Sequence, residues 1–327
     1  MNIGQFGRRP LLAASLAPAL AQAQGAAWPQ GRAVSMVVAF PPGGQADVSA
    51  RPTAAAMERI LGSAVPVVNR AGASGALGNA YVARAAPDGS TLLMALSSVL
   101  ILPESERVNG RQPQYEVEQL APIARITADP TVLVVRADAP WRDIDAFIAD
   151  ARTRPGAISY SSSGNYSALH TPMAMFANAV GIDMLHVPFQ GGAPALTALL
   201  SGTVQALASG TGPIMQHIRA GRLRALASWA AERLPGLPDV PTFREKGLEE
   251  VQYTIWAGVF APAATPAPVQ EEIRRCLAQA ARDPEANRAL EAAGSPMAYL
   301  DGDAFRGFVA EDHARLVQVV RRIGRVE

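Results

Sequence analysis

Between an apolar run at 34–40 and the helical stretch that follows, the chain reads Phe40-Pro41-Pro42-Gly43-Gly44-Gln45-Ala46-Asp47. A turn rich in Pro and Gly at that place exposes backbone amides above the carboxyl end of a buried strand, beside a helix N-terminus, and such an arrangement attracts anions. The two glycines also have a plainer use, which is to let the chain turn tightly, and spacing alone leaves both readings open. The carboxylate of Asp47 would repel a bound anion, so this residue is assigned to the helix start as a capping group. A second turn of the same kind, Ser161-Ser162-Ser163-Gly164-Asn165-Tyr166-Ser167, precedes the helix that carries His170. Its hydroxyls and free amides suit a second polar group of a ligand, and Ser167 is equally placed to cap the helix. Two such turns on separate α/β units put a ligand in the crevice between them.

Catalysis asks for more than this. The nearest approach to Gly-x-Ser-x-Gly is Gly72-Ala73-Ser74-Gly75-Ala76, which lacks the last glycine. His170, His186, His217 and His313 are scattered without metal-ligand spacing, and Cys276 is the single cysteine, so zinc and thiol mechanisms find no support. Gly72, Gly75 and Gly78 do not have the spacing of a dinucleotide fingerprint and read better as close helix-to-sheet packing. Cys276, flanked by Ile273, Leu277 and Ala280, falls on the inner face of a helix.

The elements that must position these turns alternate in type, apolar strand then amphipathic helix, which is the signature of an α/β fold with largely parallel sheets. Strands are predicted at 34–40, 65–69, 91–95, 131–135, 158–161, 185–187, 204–209, 225–228 and 253–260. Helices are predicted at 49–61, 75–86, 144–154, 168–180, 194–201, 213–220, 267–281 and 303–322. The first helix is expected to begin at Ser49, because a start at Asp47 would leave Pro52 beyond the first turn, where its missing N–H costs a hydrogen bond. Residues 96–119 show turn chemistry and charge with little periodicity and read as a surface excursion.

Taken in order, several phrases resemble the substrate-binding receptors of tripartite tricarboxylate transporters, also called Bug-type receptors. They are VVAFPPGGQADVSAR (37–51), VNRAGASGALG (68–78), AAPDGSTLL (85–93), YSSSGNYSALH (160–170), HVPFQGGAPALTALL (186–200), IRAGRLRALA (218–227), LPDVPT (237–242) and WAGVFAPAATP (256–266). The resemblance implies an α/β, two-lobed periplasmic binding protein of the Venus-flytrap, type II-like kind, with two crossover strands near 128–135 and 253–261. It implies no cofactor, a small organic acid as ligand, and a two-subunit membrane symporter as partner. Carried over by position, the site would draw on Pro41, Pro42, Gly43, Gly44, Gln45 and Asp47 in one lobe, with Ser97 and Ser98. The other lobe would supply Ser162, Gly164, Asn165, Tyr166, Ser167, His170 and Ser209. Three departures leave the ligand itself open. Tyr166 stands where the family's Ser-x-Gly-x-Gly-Ser has its second glycine, Ala208-Ser209 replaces Phe-Asp, and the segment after Ser98 lacks Asn-Pro-x-Leu-Tyr. Tyr166 either presents its ring to the ligand or turns outward to the surface. In both cases it reads as a loop residue without core packing.

The chain ends fit export. Arg8 and Arg9 precede the apolar Leu11–Leu20 stretch, and Ala21-Gln22-Ala23 has small residues where a signal peptidase cuts, so 1–23 reads as a signal peptide and the mature chain as periplasmic. The sequence has 29 basic and 28 acidic residues. Removing two arginines leaves 27 against 28, and this even balance excludes nucleic acid as a partner class. The remaining length exceeds what one core usually organises. The expected division is 28–127 with 253–327 as lobe 1 and 128–252 as lobe 2, in a monomer. Two other functions share these features. One is a same-fold receptor that serves a sensor or lacks its own transporter, and the other is a periplasmic hydrolase.

Overall fold

The computed structural model describes Met1 and residues 28–326, so the expected signal peptide at 1–23 lies outside the described residues apart from Met1. In chain order the strands are β1 (Ser35–Val38), β2 (Val67–Asn69), β3 (Thr91–Leu96), β4 (Leu120–Arg136), β5 (Ser159–Ser162), β6 (Leu185–Pro188), β7 (Ala206–Gly210), β8 (Leu223–Ser228), β9 (Thr254–Pro262) and β10 (Met297–Asp301). The helices are α1 (Gln45–Leu61), α2 (Ala76–Ala83), α3 (Leu102–Val108), α4 (Ile144–Thr153), α5 (His170–Val180), α6 (Gly192–Leu200), α7 (Thr211–Arg219), α8 (Ala267–Ala280), α9 (Pro284–Ala292) and α10 (Gly302–Ile323).

Sheet order is β2-β1-β3-β9-β4-β7-β5-β6, with β8 and β10 also paired to β4. The outer strands β2, β1 and β3 are parallel, as are β7, β5 and β6. Each parallel set carries its turns and helix starts at the strands' carboxyl ends, the usual place for a site in such sheets. Between the sets runs β4. Its residues from Leu120 to Pro130 pair antiparallel with β9, and from Thr131 onward it pairs with β7 and β8. Three backbones meet at the crossing: Trp229 N–H donates to Thr131 O at 2.9 Å, Thr131 N–H to Tyr253 O at 3.4 Å, and Tyr253 N–H to Trp229 O at 3.3 Å. The chain thus passes between two halves at Pro130–Thr131 and again at Tyr253, giving the two-lobed α/β architecture with two crossovers. The second crossing falls just ahead of β9 rather than within it.

Several expectations need correction. Helix α1 begins at Gln45, not Ser49, and Pro52 sits inside it. Both ends of the extra turn are fastened: Gln45 Nε2 donates to Ser295 Oγ at 2.9 Å, and Asp47 Oδ2 accepts the Gly43 N–H at 3.1 Å. These bonds hold residues 45–48 helical, although Pro52 has no N–H to give to the turn. The segment after β3 is no surface excursion. Ser97, Ser98, Val99, Leu100, Ile101 and Leu102 are all buried, and α3 follows them.

The first half of β4 escaped prediction because Pro122 and Pro130 break its pattern. The structure accommodates Pro122 at a register shift against β9. The short β10 was missed because its residues are half-buried throughout and alternate weakly. Of the three glycines assigned to close packing, Gly78 is the clearest case, since a Cβ there would lie 2.7 Å from both Ala39 Cα and Arg70 O. Cys276 is buried on α8 beside Ile273, Leu277 and Ala280, and burial pushes its thiol up to about 12.

Candidate functional site

Four helix N-termini meet where the two halves face each other. The first is α1, whose N-cap Gly44 has extended backbone at φ −87°, ψ 178°. A Cβ on Gly44 would stand 3.8 Å from Gly192 N, at the first residue of α6. A Cβ on Gly192 would stand 3.9 Å from Leu169 Cδ1, at the N-cap of α5. The fourth is α7: a Cβ on its N-cap, Gly210, would be 2.7 Å from Gln45 Oε1, and one on Gly212 3.2 Å. Prolines 172, 194 and 213 each fall at the third position of α5, α6 and α7, where a helix has no acceptor for an N–H. The N–H groups of Gln45 and Ala46 on α1, and of Gly192 and Ala193 on α6, belong to first turns and find no acceptor inside their own helices. Four dipoles of the same sense converge on one seam, and that charge distribution favours an anion.

The expected turns are both at this seam, but each is opposed by a different partner from the one anticipated. The 41–44 turn packs on 191–193: a Cβ on Gly191, which has φ +134°, would meet Pro41 Cδ at 2.6 Å, and one on Gly43 would meet Ala193 Cβ at 3.6 Å. Gly164, in the second turn, lies against the 72–75 turn, so close that a Cβ on it would collide with Ser74 Oγ. Phe40 and Gly75 tie the first-half turns together, and the bond from Phe189 N–H to Ser162 O at 2.9 Å ties those of the second half. The Gln190-Gly191-Gly192-Ala193-Pro194 turn was not among the expected site residues. Its pattern repeats that of Pro42-Gly43-Gly44, a strand end followed by two glycines and a helix start, and could have been read the same way.

Asp47 is spent within its own half. Burial alone would raise its pKa, but hydrogen bonds from Arg51, Gly43 N–H and Asn69 outweigh this and hold it below the usual carboxylate range. Arg51 grips it at 2.7 and 2.9 Å, which also takes up that guanidinium. Asp47 is not the cap expected from sequence: the N-cap of α1 is Gly44, without a side-chain cap bond, and Asp47 lies in the first turn, where its carboxylate accepts the N–H of Gly43 outside the helix.

In the second turn Ser162 Oγ accepts the Gly164 N–H at 3.1 Å and lies 2.6 Å from His186 Nε2. Ser167 Oγ accepts the His170 N–H at 3.3 Å, closing the turn that leads into α5. His170 Nδ1 accepts the Tyr166 N–H at 3.0 Å, and the His170 ring lies 4.2 Å from that of His186. Burial depresses the two imidazoles to about 3 and about 4, the neighbouring ring adding to the effect on His170. Both are neutral over the physiological range, so His170 shapes the turn and brings no charge to it. Ser163 Oγ and Asn165 Oδ1 are buried without a partner. Asn165 also lines a cavity of about 300 Å³ between the halves, together with Ser74, Glu106, Arg111, Tyr166 and Gln190.

Tyr166 does not turn outward to the surface. It is 1 % exposed with φ +55°, and its hydroxyl donates to Gly324 O and accepts from Asn109 Nδ2 at 3.0 Å. The left-handed φ explains why a glycine suits this position in the family pattern. The expectation of a loop residue without packing is corrected, because the phenol bridges the second turn, the residue after α3 and the C-terminal segment. Ser97 is turned to the crossing, where its Oγ lies 3.1 Å from Tyr253 OH. Ser98 is buried beside it. Ser209 bonds back to Gly210 O at 3.0 Å.

Among the described residues no group of three or more His, Cys, Asp or Glu could hold a metal ion, and no helix is long and apolar enough to cross a membrane.

Comparison with known proteins shows the family and the fold. Residues 49–325 match the family described as tripartite tricarboxylate transporter family receptor. Protein BugT of Bordetella pertussis is 34% identical over 293 residues, covering 90% of each chain. The solved periplasmic binding protein BugD superposes with a TM-score of 0.83 at 30% identity, over 89% of this chain and 97% of that one. MatC from Rhodopseudomonas palustris, solved with bound malate, superposes with a TM-score of 0.81 at 29% identity, over 88% of this chain and 99% of that one.

Proposed function

The chain belongs to the tripartite tricarboxylate transporter receptor family, and from that membership we propose that it captures a small organic acid in the periplasm and delivers it to a two-subunit membrane symporter. The observation that carries the reading is the convergence of the N-termini of α1, α5, α6 and α7 on one interlobe seam. Such a seam can hold a carboxylate by backbone N–H groups and dipoles, without a fixed cation. The malate bound to MatC, a relative of similar fold, supports a carboxylate as ligand.

In this reading 28–127 with 253–327 form lobe 1 and 128–252 form lobe 2, and the lobes hinge at the two crossings around the ligand. The ligand's carboxylates are held from the 41–47 turn with Ser97 and Ser98 on one side. The 162–167 turn, His170 and Ser209 close from the other, with Gly192 and Ala193 added to the set. The mature chain starts after Ala23 and works as a monomer, without catalysis and without a cofactor.

A thermal-shift screen of mono-, di- and tricarboxylic acids tests this. A ligand that binds only the folded chain adds about 2.7 kcal/mol at a hundred times its Kd. For a chain of this size that is a rise in Tm on the order of 5 °C. A screen in which no acid raises Tm, or in which an acid is consumed, contradicts the reading.

A further inference from the structure

Beside the proposed ligand turns, one cluster of buried polar side chains spans both lobes and the crossing strand. Asp129 lies on β4 one residue before the Pro130–Thr131 crossing and is 1 % exposed. Its Oδ2 accepts from Ser295 Oγ at 2.5 Å and is contacted by Gln45 Nε2, while Thr211 Oγ1 lies 3.2 Å from its Oδ1. Gln45 is the first residue of α1, Thr211 the first of α7, and Ser295 precedes β10. One carboxyl group therefore connects the two helix starts that flank the seam on opposite lobes. Gln45 Oε1 is buried against Gly210 and Gly212 and has no hydrogen-bond partner.

This arrangement leaves a donor short. A buried carboxylate without a cation is costly, and so is an orphaned amide oxygen. Protonation of Asp129 removes the first cost and supplies the missing donor: the Thr211 hydroxyl has one proton and gives it to Gly294 O at 2.7 Å, so its 3.2 Å contact with Asp129 Oδ1 becomes a hydrogen bond when the carboxyl O–H donates to Thr211 Oγ1. We propose that Asp129, Gln45, Thr211 and Ser295 form a proton-linked latch, which holds the lobes closed while Asp129 is protonated and loosens when it ionises.

The charged groups on the surrounding elements do not bond to Asp129. Asp47 and Arg51 on α1 are bound to each other, and Arg125 on β4 donates to Ala298 O. His217 and Arg219 lie at the far end of α7, and Glu291 of α9 makes no bond to it. On β9 the facing partner is Ile255. Burial pushes the Asp129 carboxyl up to about 6, the Ser295 and Thr211 hydroxyls offsetting part of the rise. An open seam would let water reach the carboxyl and return it toward 3.8, its ordinary value. The sign follows: the closed form binds the proton more tightly, so closure is favoured as pH falls through 6 and penalised as pH rises. Between pH 5 and 7.5 these two values shift the closed-to-open ratio by about ten-fold. His170 and His186 titrate near 3 and 4, below this window.

The latch concerns regulation of the proposed receptor and rests on its hinge closure, so the test uses no ligand and stands apart from any failure to find one. Small-angle scattering of the mature ligand-free protein is recorded from pH 5 to 8 for wild type and Asp129→Asn, and urea unfolding is measured at pH 5 and 7.5. Asparagine can donate to Thr211 Oγ1 permanently while its oxygen accepts from Gln45 and Ser295, so Asp129→Asn is expected to stay compact at every pH, while wild type expands as pH rises. In unfolding, the wild-type equilibrium constant relative to Asp129→Asn should move about ten-fold toward unfolding between pH 5 and 7.5. The same pH dependence in both proteins overturns the proposal, as does wild-type scattering unchanged across the range. Gln45→Met, which keeps the side chain's volume and removes its amide, covers the case in which Asp129→Asn fails to fold. Its scattering should be that of the expanded form at pH 5, and compaction equal to wild type there overturns the latch.

Discussion

Replacing Gly44 by leucine should reduce ligand affinity at least a hundred-fold and leave the ligand-free fold intact. Gly44 has φ −87° and ψ 178°, extended backbone open to any residue, so a side chain there brings no backbone strain. What it meets is the other lobe, because Gly192 N and Cα stand 3.8 and 3.9 Å from the new Cβ. A methyl group fits that gap as ordinary contact, whereas leucine must push the start of α6 away from the start of α1. The N–H groups that would share the carboxylate then separate, and at least two charge-assisted hydrogen bonds of roughly 1.5 to 3 kcal/mol each are lost. Titration calorimetry should show Gly44→Ala within a few-fold of wild type and Gly44→Leu without measurable binding. Gly44→Leu with wild-type affinity would place the ligand elsewhere.

Tyr166→Gly should destabilise the fold by about 1 to 4 kcal/mol. Removing a large buried ring costs about 3 to 5 kcal/mol, and relief of the left-handed backbone at φ +55° returns roughly 1 to 2 kcal/mol. Tyr166→Phe keeps the ring and deletes only the hydroxyl between Asn109 and Gly324 O, so about 1 to 2 kcal/mol is expected there. Urea unfolding of both variants separates ring from hydroxyl. A Tyr166→Gly protein as stable as wild type would mean that the ring contributes no packing.

The contrast between these two sites marks what the sequence could convey. Gly43, Gly44, Gly164 and Ser167 were legible because a turn between an apolar strand and a helix has local chemistry, and local chemistry is written in adjacent residues. The long β4 was half legible: its Val132–Val135 run is apolar, while Pro122 and Pro130 conceal the rest of the strand and with it the position of the crossing. Helix α9 carries a start readable in adjacent residues, since Asp283 caps Ala286 N–H at 2.8 Å and Pro284 follows it. Pairings across distance were beyond reach. Nothing near Tyr166 in the chain announces Gly324, 158 residues away, and nothing near Gln45 announces Ser295. The opposing of 41–44 by 191–193 follows from how the two lobes meet, and single-residue chemistry does not encode that.

The proposal that a carboxylate is held by converging helix N-termini is tested most directly by calorimetric titration with the best acid from the screen and with its primary amide, which has the same shape without the charge. The acid should bind at one site per chain and the amide at least ten-fold more weakly, since the dipoles favour only the charged group. Equal affinity for acid and amide, or heat from neither, contradicts it.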